Sequence, residues 1–127
     1  MIKVSLDEAY IFDMLAILDV KKQLFSSEKL ESVLSAISTM VEEISSQIGD
    51  EKFQEIISSE EYKDLIKANK VVFILVDQTK IEGGLAKQVD DANYDRYLKK
   101  QKLQNKFFTT KMKEVKDEKY TSTQQSS

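Results

Sequence analysis

The chain contains no cysteine and no histidine, and these two absences exclude whole classes of chemistry. They leave no thiolate nucleophile, no histidine-based triad, no imidazole proton transfer and no cysteine or histidine ligand for zinc or haem. No disulfide can form, so the fold depends on packing alone, and nothing in the sequence indicates an oxidising compartment. Any catalysis would have to use carboxylates, lysine, tyrosine or the backbone.

Proline is also absent, and the 127 residues include three glycines, Gly49, Gly83 and Gly84. These glycines fall between segments of periodic hydrophobicity, which is typical of helices joined by short turns. The longest apolar run is six residues, 71–76, whereas a membrane-spanning helix needs about 20. Because no basic segment leads into an apolar run at the N-terminus, the expectation is a protein of the cytoplasm without a membrane anchor.

The hydrophobic spacing predicts an all-α bundle of four main helices and one short helix. The first predicted helix, residues 6–25, is apolar on nearly all sides and should lie in the core. The second begins with Ser27 as its N-cap, and its apolar residues recur at spacings of three and four up to Ile48. Gly49 is expected to end this helix in a left-handed conformation.

A short helix is predicted at residues 51–57, and a capping box of Ser58 and Glu61 then opens the fourth helix. Its β-branched stretch at residues 70–76 also fits a buried strand. An α+β fold with one short strand therefore stays an alternative to the all-α bundle.

The fifth predicted helix, residues 85–108, follows a short turn and should run antiparallel to the fourth. Beyond it, residues 109–127 consist mainly of threonine, serine, glutamine, lysine and acidic residues. Such a segment buries too little apolar surface to offset the entropy lost on ordering. The predicted organisation is a helical domain at residues 1–108 and a polar, disordered tail at residues 109–127.

Charge is distributed unevenly along the chain. Residues 1–96 hold 19 acidic and 11 basic residues, whereas residues 97–127 hold eight lysines and three acidic residues. Lysines interleaved with aromatic rings can follow a phosphate backbone and stack on bases. The candidates for such contacts are Lys99, Lys100, Lys102, Lys106, Phe107 and Phe108. Because the acidic remainder would repel a polyanion, nucleic-acid binding is a further alternative function and is not favoured.

Arg96 is the only arginine beside 18 lysines, and it lies on the apolar stripe of the fifth predicted helix. A guanidinium in this position suits bidentate pairing with a carboxylate or phosphate. The favoured partner is a buried carboxylate of this chain, and the candidates are Asp13, Asp19 and Asp77. Arg96→Lys is therefore expected to lower the melting temperature.

Other polar residues on helical faces join Arg96 as candidate ligand-binding or interaction residues. They are Asp13, Asn69, Asn93 and Tyr97. Such residues either line one pocket for a small, nucleotide-like ligand or form an interhelical hydrogen-bond network that fixes the helix register.

Two carboxylate pairs have the spacing with which all-helical nucleotide pyrophosphatases hold Mg²⁺: Glu28 with Glu31, and Glu61 with Asp64. With 22 acidic residues in the chain such pairs arise by chance. Both pairs also lie at predicted helix starts, where acidic residues are favoured because they interact with the positive end of the helix dipole. The sequence therefore predicts no metal site, no cofactor and no enzymatic activity.

The segment VDDANYDRYL at residues 89–98, with Leu103, Gln104 and the two phenylalanines that follow, resembles the C-terminal helix of small uncharacterised all-helical proteins of tailed bacteriophages. Residues 9–13 are similar as well, and the resemblance covers most of the chain up to Phe108. It implies a short accessory protein made in the cytoplasm of an infected bacterium, and it brings no catalytic residues with it.

These observations predict a non-enzymatic phage accessory protein that recognises a host or phage protein or forms homo-oligomers through apolar helix faces. The second and fifth helices are the expected surfaces. Binding of a small, nucleotide-like ligand is the alternative function.

Overall fold

The computed structural model describes Ile2 and residues 6–108, which form five helices and no strand. The helices are α1 (Glu8–Leu24), α2 (Ser27–Ile48), α3 (Asp50–Ile57), α4 (Glu60–Gln78) and α5 (Ala86–Phe107). The all-α prediction of four main helices and one short helix is confirmed. The predicted tail at residues 109–127 lies outside the described residues.

The alternative strand at residues 70–76 is wrong, because this stretch is the second half of α4. Its neighbours in α4 are buried at helical spacing: Leu65, Asn69 and Val72 are each at most 9% exposed, whereas Val71 is 50% exposed. A strand would instead bury every second residue. Packing of one helical face thus overrides the β propensity of the valines.

Two predicted helix caps are displaced by one residue. Ser59, not Ser58, is the N-cap of α4, and its hydroxyl oxygen accepts a hydrogen bond from the Tyr62 backbone N–H at 3.1 Å. Ser26, not Ser27, is the N-cap of α2, and Ser27 is the first helical residue with φ of 58°. In runs of two serines either residue satisfies the sequence preference, so only the backbone conformation selects the cap.

Gly49 joins α2 to α3 with φ of 92°. This backbone conformation favours glycine, because a side chain would meet the adjoining carbonyl. The predicted role of Gly49 at the end of the second helix is consistent with this geometry.

α1 is the central helix, because it packs against α2, α4 and α5. The ring of Phe12 contacts that of Tyr62 near the start of α1 and α4, and Phe25 contacts Phe73 near their ends. α1 and α4 therefore run in the same direction.

α5 runs antiparallel to both of these helices. Gln104 near the end of α5 accepts a hydrogen bond from the backbone N–H of Ala9 at the start of α1. Lys106 donates to Glu61 at the start of α4. The predicted antiparallel arrangement of the last two helices is confirmed.

The hydrophobic core lies at one end of the bundle, which we call the core end, where α1 and α4 begin and α2 and α5 finish. Phe12 is at its centre, with its ring centroid 6.2 Å from those of Phe53 and Tyr62. The buried members of this core are Ala9, Phe12, Leu15, Ala16, Ile44, Phe53, Ile56, Tyr62, Leu65 and Leu103.

The opposite end, which we call the open end, is where α1 and α4 finish and α5 begins. Here Leu24 is 43% exposed, Ile74 is 41% exposed and Ile81 is 89% exposed. The half-buried rings of Phe25 and Phe73 lie beside them, with centroids 6.0 Å apart. Apolar burial is thus concentrated at the core end, and the open end presents apolar side chains to solvent.

None of the helices in the described part of the chain has both the length and the hydrophobicity of a membrane-spanning segment. This agrees with the short apolar runs of the sequence.

Candidate functional site

A buried polar group lies where α1, α4 and α5 meet, and it consists of Asp13, Asn69 and Arg96. The first two residues are each 4% exposed. The side-chain amide of Asn69 donates hydrogen bonds to Asp13 Oδ1 at 2.8 Å and to the Leu65 carbonyl at 3.0 Å. Arg96 Nε lies 3.9 Å from Asp13 Oδ2. Each carboxylate oxygen of Asp13 therefore faces a different donor.

Of the three carboxylates considered for Arg96, the structure pairs it with Asp13. Asp19 instead accepts a hydrogen bond from the Tyr62 hydroxyl at 2.6 Å. Asp77 lies 3.5 Å from Lys80. The residues that pair with each other are far apart in the sequence in the first two cases, so no local pattern could select between the candidates.

Arg96 is partly exposed to solvent, with 29% of its side-chain surface accessible. It borders a cavity of about 230 Å³ between α1, α4 and α5, which we call the Arg96 cavity. The residues around this cavity are Ile17, Val20, Asn69, Val72, Phe73, Val76, Asp77, Lys80 and Arg96. The polar group thus forms one wall of a mainly apolar hollow.

A second, larger hollow of about 530 Å³ lies at the open end, and we call it the open-end cleft. It is bordered by Leu24, Phe25, Lys29, Phe73, Ile74, Asp77, Gln78 and Lys80. Lys29 Nζ lies 5.6 Å from the centre of the Phe25 ring, so a cation covers part of the aromatic surface. The cleft combines an apolar floor with charged side chains at its edge.

The remaining two candidates from the sequence, Asn93 and Tyr97, lie on α5. Asn93 is half-buried, and Tyr97 is 47% exposed. The Tyr97 hydroxyl accepts a hydrogen bond from the Gln101 side chain at 2.7 Å, and its ring stacks on Tyr94. Tyr97 therefore belongs to an exposed aromatic surface of α5 and not to the Arg96 cavity.

Three of the lysines proposed to contact nucleic acid, Lys99, Lys100 and Lys106, have partners within the chain. Lys99 forms an ion pair with Asp95 at 2.9 Å. Lys100 Nζ lies 5.7 Å from the centre of the Tyr10 ring. These contacts are typical of an ordinary solvated helix face.

Lys106 donates a hydrogen bond to Glu61 at 3.0 Å and so links α5 to α4. This hydrogen bond is the main reason why the pKa of Glu61 lies below its usual value, and the charges of Lys106 and Lys102 lower it further. Lys102 itself is exposed on α5.

Phe107 and Phe108, the proposed base-stacking rings, are half-buried and pack against the core. The ring centroid of Phe108 lies 6.0 Å from that of Phe12, and Lys52 Nζ lies 4.6 Å from the Phe108 centroid. Both rings therefore help to cover the core, and their expected role in base stacking stays a prediction.

Two further polar contacts were not foreseen from the sequence. Tyr62 is 2% exposed, and burial raises its pKa well above the usual value, as do the hydrogen bond and charge of Asp19. Gln104 is 2% exposed and binds the start of α1, accepting from the Ala9 N–H at 2.8 Å and donating to Glu8 at 3.0 Å. The place of Tyr62 on the apolar stripe of the fourth helix indicates its burial but not its partner, and nothing in the local pattern distinguishes Gln104 from an exposed polar residue.

The acidic residues with metal-binding spacing lie at helix starts or contact a lysine. Glu28 and Glu31 are exposed at the start of α2, and Glu61 contacts Lys106. Within Ile2 and residues 6–108, no three acidic side chains converge in a group that could hold a metal ion.

No protein-family model matches the chain, and comparisons with curated proteins and with solved structures find no match. Functional inference therefore depends on the geometry of the chain itself.

Proposed function

We propose that the protein is a non-enzymatic recognition protein that binds another protein through the open-end cleft. The observation that supports this is the group of large apolar side chains left exposed there. Isolated apolar residues are common on protein surfaces, but a contiguous group with a charged edge is typical of an interaction site. The resemblance to bacteriophage proteins favours a partner encoded by the phage or its host.

The cleft has the composition of an interface centre. Aromatic and aliphatic side chains, Phe25, Phe73 and Ile74, form its floor, while Lys29 and Lys80 stand at its edge. Removal of apolar surface from water stabilises an interface by about 25 cal/mol per Å². Lys80 is already paired with Asp77, so a partner that inserts apolar side chains and places an acidic group beside Lys29 would match this arrangement.

The interior polar groups favour recognition over catalysis. Asp13 is paired with Asn69 and Arg96, and Asp19 is paired with Tyr62. Carboxylates paired in this way hold helices in register and are not presented to a substrate. They support the hypothesis of a structural network over that of a catalytic centre.

The test compares two aspartate substitutions on one helix. Ile74→Asp places a charge on the cleft floor, whereas Val71→Asp places it on a residue of similar exposure that lines neither hollow. Tagged wild-type and variant chains are produced in the native host, and the copurifying proteins are quantified by mass spectrometry. A partner should be retained by wild type and Val71→Asp and be reduced at least tenfold on Ile74→Asp.

Sedimentation velocity on the same three chains examines self-association. A dimer that is lost only in Ile74→Asp would identify a second copy as the occupant of the cleft. If all three chains retain the same proteins and show the same sedimentation, recognition does not use the open-end cleft.

A further inference from the structure

We propose that the Arg96 cavity binds a carboxylate that carries a short, branched apolar group, with the carboxylate on Arg96 and the apolar group between α1 and α4. This is a small-molecule site, and it stands independently of protein recognition at the open-end cleft.

Arg96 is held from one edge only. Its Nε is the atom nearest Asp13, and Asp13 is fixed in turn by the Asn69 amide. The Nε to Oδ2 distance of 3.9 Å exceeds the range of a charge-assisted hydrogen bond, which is about 2.7–2.9 Å. The guanidinium therefore keeps most of its capacity to donate, while its position is set by the buried carboxylate behind it.

The walls beside Arg96 are apolar. Ile17 and Val20 come from α1, and Val72 and Val76 come from α4. Val20 is 1% exposed and Val72 is 9% exposed, whereas Val76 is 42% exposed and stands at the mouth. An apolar group that enters between these side chains would leave water while its carboxylate meets the guanidinium.

The size of the cavity limits the ligand. Its volume of about 230 Å³ is below the range typical of drug-sized ligands. It encloses a short branched aliphatic group, and its open mouth lets any further part of a ligand extend outward. The ligand class that matches these walls is a small branched acid such as 4-methylpentanoate.

The surrounding charge favours a monoanion. Asp13 lies behind the guanidinium, and Asp77 lies at the mouth with Lys80 3.5 Å away. Asp13 and Asp77 are balanced by Arg96 and Lys80, so the cavity carries no excess positive charge for the second negative charge of a phosphate monoester. A single carboxylate needs no cation beyond the bidentate contact with Arg96.

The experiment is a titration of the full-length, ¹⁵N-labelled chain with 4-methylpentanoate, followed by amide chemical shifts. Saturable shifts are expected around Arg96, Val72 and Val76, with binding at least tenfold weaker for 4-methylpentanamide, which has the same shape without the charge. N-acetylleucine is titrated in parallel. Tighter binding of N-acetylleucine than of the free acid would identify the C-terminal residue of a peptide as the source of the carboxylate.

Three variants complete the test. Val76→Phe fills the cavity and leaves Arg96 in place, so it should weaken binding of 4-methylpentanoate at least tenfold. Val71→Phe, a similar change on an exposed residue that does not border the cavity, should leave binding unchanged. Arg96→Gln should also weaken binding at least tenfold, and its circular dichroism shows whether the fold is retained. Equal binding of acid and amide, equal binding by Val76→Phe and wild type, or the lack of saturable shifts would each overturn the proposal.

Discussion

Asp13 illustrates how one buried charge constrains residues on three helices. A carboxylate that is 4% exposed is tolerated only if its oxygens have partners, and Asn69 and Arg96 supply them. The 2.8 Å hydrogen bond from Asn69 is the closer of the two contacts. The melting temperature of Arg96→Lys should accordingly fall by less than that of an Asn69 variant, because a lysine can still place a charge near Asp13.

Replacing Asn69 tests this account. Asn69→Leu should lower the free energy of unfolding by about 2–3 kcal/mol, since it leaves a buried carboxylate oxygen without its donor. The double variant Asp13→Leu, Asn69→Leu should recover part of this loss, because the buried carboxylate is removed together with its donor, whereas Arg96 loses the charge that it faces. Urea denaturation at pH 7 measures both. A single variant as stable as wild type would show that Asn69 does not stabilise Asp13.

Tyr62 gives a prediction about alkaline pH. Its pKa in the folded state is raised by burial and by Asp19, above the value of about 10 in the unfolded chain. A group with a raised pKa contributes stability that is fully present below its unfolded pKa. That contribution falls as the pH rises further, because the unfolded chain then releases the phenolic proton and the folded chain retains it.

Tyr62→Phe should lower the free energy of unfolding at pH 7 by about 1.5–3 kcal/mol, the usual contribution of a hydrogen bond to a charged acceptor. The difference in stability between wild type and variant should shrink from pH 9 to pH 11. Urea denaturation across this pH range measures the difference, in which the titration of all other groups cancels. A difference that stays constant or grows with pH would mean that Tyr62 ionises in the folded protein at least as readily as in the unfolded chain.

Where two neighbouring residues could both cap a helix, the backbone conformation determines which of them does so. Ser58 and Ser59 both precede α4. Ser58 is the C-cap of α3, and its φ of −91° and ψ of −5° lie in the helical region. Ser59 has φ of −77° and ψ of 158°, the extended conformation that allows its hydroxyl to reach the Tyr62 N–H.

Ser59→Ala should therefore destabilise the protein by about 1 kcal/mol, the usual effect of losing an N-cap hydrogen bond. Ser58→Ala is the matched control and should change the stability by no more than about 0.5 kcal/mol, as is common for exposed positions without such a contact. Thermal or urea denaturation of the two variants distinguishes them. A larger loss of stability in Ser58→Ala than in Ser59→Ala would show that Ser58 is the N-cap of α4.

At the scale of the whole molecule, the concentration of the core at one end implies unequal local stability. Leu65, in the first half of α4, is fully buried in the core, whereas Ile74, in the second half, is 41% exposed at the open end. Regions with fewer buried apolar contacts open more often than the core does. The same asymmetry leaves the open end available for binding.

Amide hydrogen exchange measures this difference within one continuous helix. The backbone amide of Leu65 should exchange at least about tenfold more slowly than that of Ile74, after correction for intrinsic rates. Uniform protection along α4 would show that the helix opens only as part of global unfolding. In that case the open end would be as rigid as the core.

The sequence by itself determined the number of helices and the chemistry that the chain lacks, and it left only residues 70–76 open between helix and strand. The spacing of apolar residues and the placement of Gly49 act over a few residues, so the bounds of the helices followed within about one or two positions. The absence of cysteine and histidine is a property of composition and needs no structure.

Only the tertiary structure decided which polar residues meet and which apolar residues stay exposed. Asn69 contacts Asp13 across 56 positions of sequence, and the choice between Asp13, Asp19 and Asp77 as the partner of Arg96 depended on how three helices pack. Phe107 and Phe108 likewise became part of the core because the end of α5 lies beside Phe12. Periodicity gives each helix an apolar face, but the area of that face that is covered depends on its neighbours, which local patterns do not specify.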